Sequence, residues 1–466
     1  MQTRLPRRVA SLAVLATALV ALLLGTFAVR AAAPPPRPNI ILLLCDDLGY
    51  GDLACFANPT IKTPNLDRLA ADGIKFTHCY SSFPVCSPSR AGLMTGRNAN
   101  RSGIRDWIPP RSGVCLRSNE VTVATLLKSA GYRTCHAGKW HLNSLVDGTE
   151  PTPADHGFDH WFYTQNNAAP SHANPTNFIR NGQPVGPLTG YSSGLVVDEA
   201  IRFLDAAPGK PFFLNLWFHE SHEPIAAAEE FTRLYPDVDN PNRAQYYGDV
   251  SQMDHAVGRL LKHLDTHGLR DNTFIIFTSD NGPETLNRYK GAQRSYGTPG
   301  PLRGMKLHVT EAGYRVPGIL RWPGHAQPGT VSAEPISNLD FLPTFCELAG
   351  VPIPADRPID GTSLLPILAG KTLTRAHPLY WQYDRAISKP WTVALRDGPW
   401  KLLANSTLDQ FELYNVVTDL GEKQNLAPSE AARLARMTTA LKQLHTEINA
   451  EGARSGNPLP KAGGGK

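Results

Sequence analysis

Bulk charge of one sign is missing from this 466-residue chain once its first segment is set aside. Its 46 basic and 41 acidic residues give a net charge of +5. Residues 1 to 33 hold four of those arginines and no acid, which leaves 42 basic against 41 acidic residues. Near-neutrality excludes nucleic acid, or an anionic membrane, as a partner held by bulk charge; any preference for anions must come from local sites. Internal repeats are absent too, which excludes repeat arrays. Only three residues separate Cys86 from Arg90, whereas a loop with a thiolate nucleophile for phosphate esters needs five, so that class is excluded. No cysteine placed for lipid attachment follows the N-terminal apolar run.

That run does carry information. Arg4, Arg7 and Arg8 precede an apolar stretch from Val9 to Val29 and then Ala31-Ala32-Ala33, the pattern of a secretory signal with a small-residue cleavage site. Residues 1–33 are therefore expected to direct export by the secretion machinery to the periplasm or the extracellular space. Left uncleaved, about 20 apolar residues would suffice to anchor the chain in a membrane. Arg7-Arg8 lacks the usual continuation of a twin-arginine signal. The seven cysteines all follow residue 33, and the spacing does not choose among the many pairings open to them in an oxidising compartment.

After a Pro/Ala linker at 34–38, Asn39 to Cys45 is an unbroken apolar run of strand length. Pro211 to Phe218 and Thr273 to Thr278 repeat the type. Such runs suit strands buried on both faces of a parallel sheet. Helical segments, Thr63 to Gly73 and Val121 to Gly131 among them, lie between them. From residue 371 the texture shifts to short alternating strands, Leu379 to Gln382, Trp391 to Arg396, Trp400 to Ala404 and Gln410 to Tyr414, with a turn at Asp397-Gly398. Leu434, Met437, Leu441, Leu444 and Ile448 recur at helical spacing within Ser429 to Ala450. The expected class is α/β: a large, mostly parallel sheet flanked by helices over residues 39–370. A smaller antiparallel sheet packed against a terminal helix follows over 371–451, and a disordered tail over 452–466.

Chemistry concentrates at Cys86-Ser87-Pro88-Ser89-Arg90. Pro88 suits the first turn of a helix, so Cys86 is expected just before a helix N-terminus, where free N–H groups and the positive dipole end favour an anion. Arg90 offers a planar fork to tetrahedral oxygens. Asp46-Asp47 follows one buried strand and Asp280-Asn281 another, and ligands gather at strand carboxyl ends in open α/β sheets. Three carboxylates and an amide oxygen brought together need a cation, and all-oxygen ligation favours calcium or magnesium.

The run Cys86 to Gly96 resembles the type I sulfatase signature CxPSRxxLxTG, and the resemblance extends from Pro38 to about Ala427. It implies an alkaline phosphatase-like fold and conversion of Cys86 to formylglycine by a formylglycine-generating partner enzyme. The family's ion is usually calcium, held by Asp46, Asp47, Asp280, Asn281 and the group made from Cys86. Gly138-Lys139-Trp140-His141 is similar to the family's GKWHL element. His222-Glu223-Pro224 is similar to its HxP segment, with His219 as the competing histidine. Leu302 to Lys306, followed by Glu311 to Pro317, resembles its LRGxK and EGGxRVP run, with Ala312 in place of a glycine.

The resemblance implies a sulfuric ester hydrolase. A hydrated aldehyde at position 86 attacks sulfur; Arg90, Lys139 and Lys306 neutralise sulfate oxygens; His222 and Lys306 serve the leaving oxygen; His141 takes a proton to expel sulfate. The expected substrate is a sulfated carbohydrate, with Arg101, Arg105, Trp107 and Trp161 as candidates for a sugar-binding rim. The alternatives are a small aryl sulfate, a phosphomonoester or phosphodiester, and an inactive glycan-binding relative. The last is disfavoured because every expected site position holds the expected residue type.

Overall fold

The computed structural model describes residues 37–458; the expected signal segment, most of the linker and residues 459–466 lie outside them. Eleven strands build one sheet. They are β1 (Asn39–Cys45), β2 (Ile74–Tyr80), β3 (Arg133–Lys139), β4 (His160–Thr164), β5 (Ile179–Arg180) and β6 (Gln183–Pro184), then β7 (Phe212–Trp217), β8 (Thr273–Ser279), β9 (Arg315–Arg321), β10 (Thr330–Ser332) and β11 (Ile336–Ser337). Their order is β10-β2-β9-β8-β1-β7-β3-β4-β5-β6, with β11 also paired to β2. The centre is parallel, since β1 pairs that way with β7 and β8, and β3 with β7 and β4. Antiparallel β9 sits between β8 and β2, which makes the sheet mixed.

Alternation along β1 explains why its residues are apolar without interruption. Ile40, Leu42 and Leu44 enter a core that includes Leu93 and Met94 of helix Cys86–Thr95 and Phe341 and Phe345 of helix Phe341–Ala349. Ile41, Leu43 and Cys45 enter the opposite core, with Val196 and Ala200 of helix Ser192–Asp205 and Val250 and Met253 of helix Pro241–Thr266. Helices thus cover both faces, the arrangement that lets parallel strands be apolar on both sides. Proline at the first helical position starts helices Pro64–Ala71 and Pro241–Thr266, where its missing N–H costs nothing.

The four C-terminal strands, β12 (Leu379–Gln382), β13 (Trp391–Asp397), β14 (Trp400–Asn405) and β15 (Phe411–Asn415), form an antiparallel sheet in chain order. Leu379 and Trp381 pack into the core of the large sheet, while Tyr380 faces Met437, Leu441, Leu444 and Ile448 of the terminal helix Ala431–Gly452. The same period of two therefore joins the small sheet to the large one and to its helix.

Strand β3 runs through Lys139, which is its last residue. Two expectations need correction. Helix Cys86–Thr95 begins at Cys86 itself, with Val85 as its cap. The segment from Gly452 to Asn457, expected as the start of a disordered tail, is packed against the chain. Asn457 Nδ2 donates to the carbonyls of Ser102 and Cys115, and a Cβ on Gly452 would lie 2.0 Å from Asn100 O. Small side chains here permit close approach rather than looseness. All seven cysteines are free thiols, six of them buried. Among the described residues no helix is long and apolar enough to cross a membrane.

Candidate active site

Register decides which residues meet. Cys45 pairs with Ser279 across β1 and β8, Leu44 with Trp217 across β1 and β7, and Gly138 with Trp217 across β3 and β7. Asp46, Asp280, Lys139 and the segment after Trp217 consequently leave the sheet at one edge. Asp47 N donates to Asp280 Oδ1 at 3.2 Å, and Asn281 Nδ2 to Asp47 Oδ1 at 2.7 Å.

Three cations surround this acidic edge, all of them buried. Arg90 Nε donates to Asp280 Oδ2 at 2.9 Å and its Nη1 to Lys139 O, also at 2.9 Å. Its guanidinium lies 5.1 Å from the ring centroid of Trp217. Lys139 Nζ is 2.5 Å from Asp46 Oδ2, and Lys306 Nζ is 2.7 Å from Asp47 Oδ2. Burial would lower Arg90 and Lys306, but Asp280 beside Arg90 and Asp47 beside Lys306 hold both above their ordinary values.

The carboxylates crowd one another at this edge. Burial and the charge of Asp46 push Asp280 up to about 7. Burial acts the same way on Asp46, yet Lys139, His222 and Arg90 hold it well below the usual range. Asp46 Oδ1 and Asn281 Oδ1 are buried without a hydrogen-bond partner. Asp46, Asp47 and His222 each offer a ligand atom within 4.8 Å of the others. Unpaired buried oxygens beside repelling carboxylates fit a hard divalent cation.

Cys86 sits at the first position of its helix, 3% exposed. Burial raises its thiol to about 11 against the pull of Lys139 and Lys306, so at neutral pH it is not a thiolate nucleophile. His222 Nδ1 donates to Glu223 O at 2.6 Å, leaving Nε2 as the acceptor 3.6 Å from Asp47 Oδ2; burial and Lys306 lower it to about 4. His141 Nε2 donates to Ile108 O at 3.2 Å, and its buried Nδ1 has no partner. Burial with Lys139 keeps that ring neutral. His219 is occupied elsewhere, 2.7 Å from Thr164 Oγ1.

Known proteins resemble this chain over most of its length. A family model described as Sulfatase covers residues 38–351, and one for the C-terminal region of N-sulphoglucosamine sulphohydrolase covers 305–451. The chain belongs to the sulfatase family. It is a sulfuric ester hydrolase of the alkaline phosphatase-like superfamily. This sulfatase is 33% identical over 455 residues to N-acetylgalactosamine-6-sulfatase of Mus musculus, an alignment covering 92% of the chain and 82% of the relative. It is 34% identical to arylsulfatase A of Homo sapiens, covering 91% and 89%. The crystal structure of Ps i-CgsB, also solved with k-i-k-neocarrahexaose, superposes with a TM-score of 0.80 at 30% identity, covering 91% of this sulfatase and 94% of that chain. Phosphonate monoester hydrolase of Agrobacterium radiobacter shares the fold, with a TM-score of 0.65 at 21% identity.

Three of the four rim candidates turn out to be structural. Arg101 is buried, pairing with Asp360 and Glu451. Arg105 donates to Asn449 Oδ1 at 2.7 Å, and Trp161 packs against the core of the large sheet. Trp107 remains: it is 43% exposed, with its ring centroid 6.4 Å from that of His141. Sequence reasoning missed Asn167, whose Oδ1 accepts from Lys139 Nζ at 3.3 Å; its place just after β4 was the available signal. It also missed Ile108, which accepts from His141 and donates to Ser87 Oγ at 3.0 Å. A backbone contact of that kind leaves no trace in residue type.

Proposed function

We propose that this sulfatase releases sulfate from a sulfated carbohydrate, using a formylglycine made from Cys86 and a calcium ion held by Asp46, Asp47, Asp280 and Asn281. The observation that carries the reading is the Cys86 thiol. It is buried among Arg90, Lys139 and Lys306 and held protonated, so it is placed for the reaction but chemically unsuited to it unmodified. As its hydrate, formylglycine supplies an oxygen nucleophile with a second hydroxyl on the same carbon, and calcium would acidify a neighbouring hydroxyl.

The chain's own residues do the rest. Lys139 and Lys306, already charged against Asp46 and Asp47, and Arg90, charged against Asp280, offset the negative charge of the sulfate group. Lys306 and His222 flank the place where a leaving alcohol oxygen gains charge, Lys306 as proton donor. His141 presents an unpaired Nδ1, ready to accept a proton when sulfate departs. Export by the secretion machinery and maturation by a formylglycine-generating enzyme complete the proposal.

A carbohydrate is favoured over a small aryl sulfate by Trp107, an exposed aromatic face beside His141 that suits a pyranose ring. The mouse relative is named for a sulfated amino sugar and Ps i-CgsB was crystallised with a neocarrahexaose, which agrees with that choice. The test pairs the mass of the Cys86 peptide, after co-expression with a formylglycine-generating enzyme, with sulfate release from sulfated oligosaccharides, aryl sulfates and phosphate esters. The aldehyde together with preferential release from oligosaccharides is expected. A persistent thiol in a protein that still releases sulfate would sink the formylglycine assignment. Preference for the aryl ester would sink the carbohydrate assignment, and activity untouched by calcium removal would sink the metal assignment.

A further inference from the structure

A second group of ligating side chains lies at the opposite edge of the large sheet. Arg133 opens β3 and donates to the carbonyls of Phe203 and Ala207, while Lys139 closes the same strand at the active centre. The two regions are therefore about 20 Å apart along the strand. Helix Ser192–Asp205 ends at Asp205, and helix Pro241–Thr266, which packs against it, ends one residue before His267. Two helix C-termini, each carrying partial negative charge, converge here and favour a cation.

His263 and His267 stand one helical turn apart with their rings stacked, centroids 4.0 Å apart. His263 Nε2 lies 3.2 Å from Asp205 Oδ1. Asp205, His263 and His267 each offer a ligand atom within 4.8 Å of the other two. His267 Nδ1 donates to His263 O at 2.8 Å, which fixes its tautomer and leaves the lone pair on Nε2.

We propose that Asp205, His263 and His267 form a transition-metal site for a divalent cation of the zinc class, clipping together the C-terminal ends of the two helices. Two imidazoles and one carboxylate select zinc, cobalt or nickel over calcium, the reverse of the oxygen-rich active centre. Three protein ligands leave a fourth, solvent-facing position to water. The role is structural, so the established ester hydrolysis does not depend on it.

The test titrates untagged, full-length protein, first saturated with calcium, with zinc chloride by calorimetry, and follows thermal unfolding in parallel. One bound equivalent and a raised melting temperature are expected. His267→Gln and Asp205→Asn each weaken zinc binding at least tenfold, with sulfate release unchanged. Cobalt(II) in place of zinc gives visible ligand-field bands that the same substitutions abolish. No bound equivalent in the unaltered protein, or an equivalent undiminished in the His263→Gln/His267→Gln double variant, overturns the assignment. His267 is exposed, so the single variant keeps the test valid if the double variant fails to fold.

Discussion

Asn281 Nδ2 donates to Asp47 Oδ1 across 2.7 Å while the oxygen of the same amide stays buried without a donor. One side chain thus orients a carboxylate and presents a free oxygen beside it. Asn281→Ala removes both, so calcium affinity should fall at least about tenfold. Titration with calcium against a chelator checks this. Asn281→Asp keeps an oxygen donor but adds a fourth acid beside Asp46, Asp47 and Asp280; it should retain calcium better than the alanine variant while losing stability when calcium is removed.

Lys306 Nζ, at 2.7 Å from Asp47 Oδ2, has its charge fixed before substrate arrives. Lys306→Ala should lower kcat for sulfate release by about 100-fold to 1000-fold, the usual loss when one preorganised charge donor is removed. Cys86→Ala should abolish turnover. Far-ultraviolet circular dichroism should remain unchanged in both, and turnover surviving in Cys86→Ala would refute the role given to position 86.

Gly138 holds Lys139 in place by having no side chain. Its φ is 110°, and a Cβ there would stand 1.8 Å from Trp217 O of the adjacent strand. Gly138→Ala must push β3 away from β7 at the site edge, so both stability and sulfate release should drop, stability by about 3 kcal/mol or more. Urea unfolding of the variant measures the first effect.

Trp107→Ala should raise KM for a sulfated oligosaccharide by about fivefold, as expected for an aromatic contact worth roughly 1 kcal/mol, and leave kcat nearly unchanged. KM for a small aryl sulfate should not move. Equal losses on both substrates would mean that Trp107 shapes the His141 loop rather than holding a sugar ring.

Glu199 gives a pH test remote from the site. Burial would raise its pKa, but His160 and the bidentate Arg180 hold it at about 2. Its folded value lies below its unfolded value, so its stabilisation is fully present above about pH 4.5 and is lost as pH falls towards 2. Glu199→Gln should cost about 1–2 kcal/mol at pH 7, and the gap in urea midpoint between the two proteins should close as pH falls through that window. A gap unchanged down to pH 2 would contradict the ion-pair reading.

The strand cores, the terminal helix stripe and the Cys86 motif were legible in the sequence because each rests on local periodicity or on side chains close together along the chain. Asn39 to Cys45 suits a doubly buried strand, and carboxylates placed directly after such runs gather at the strands' carboxyl ends. The partners of His219 and of Arg101 were decided by the tertiary structure alone. His219 is taken by Thr164 and Arg101 by Asp360 and Glu451, partners 55, 259 and 350 residues away in the chain. Sequence determined which chemical groups this sulfatase carries and which strand ends present them. Only the packing of distant segments decided which of them are neutralised within the fold and which remain free, because a buried charge or imidazole is defined by the partners that folding brings to it.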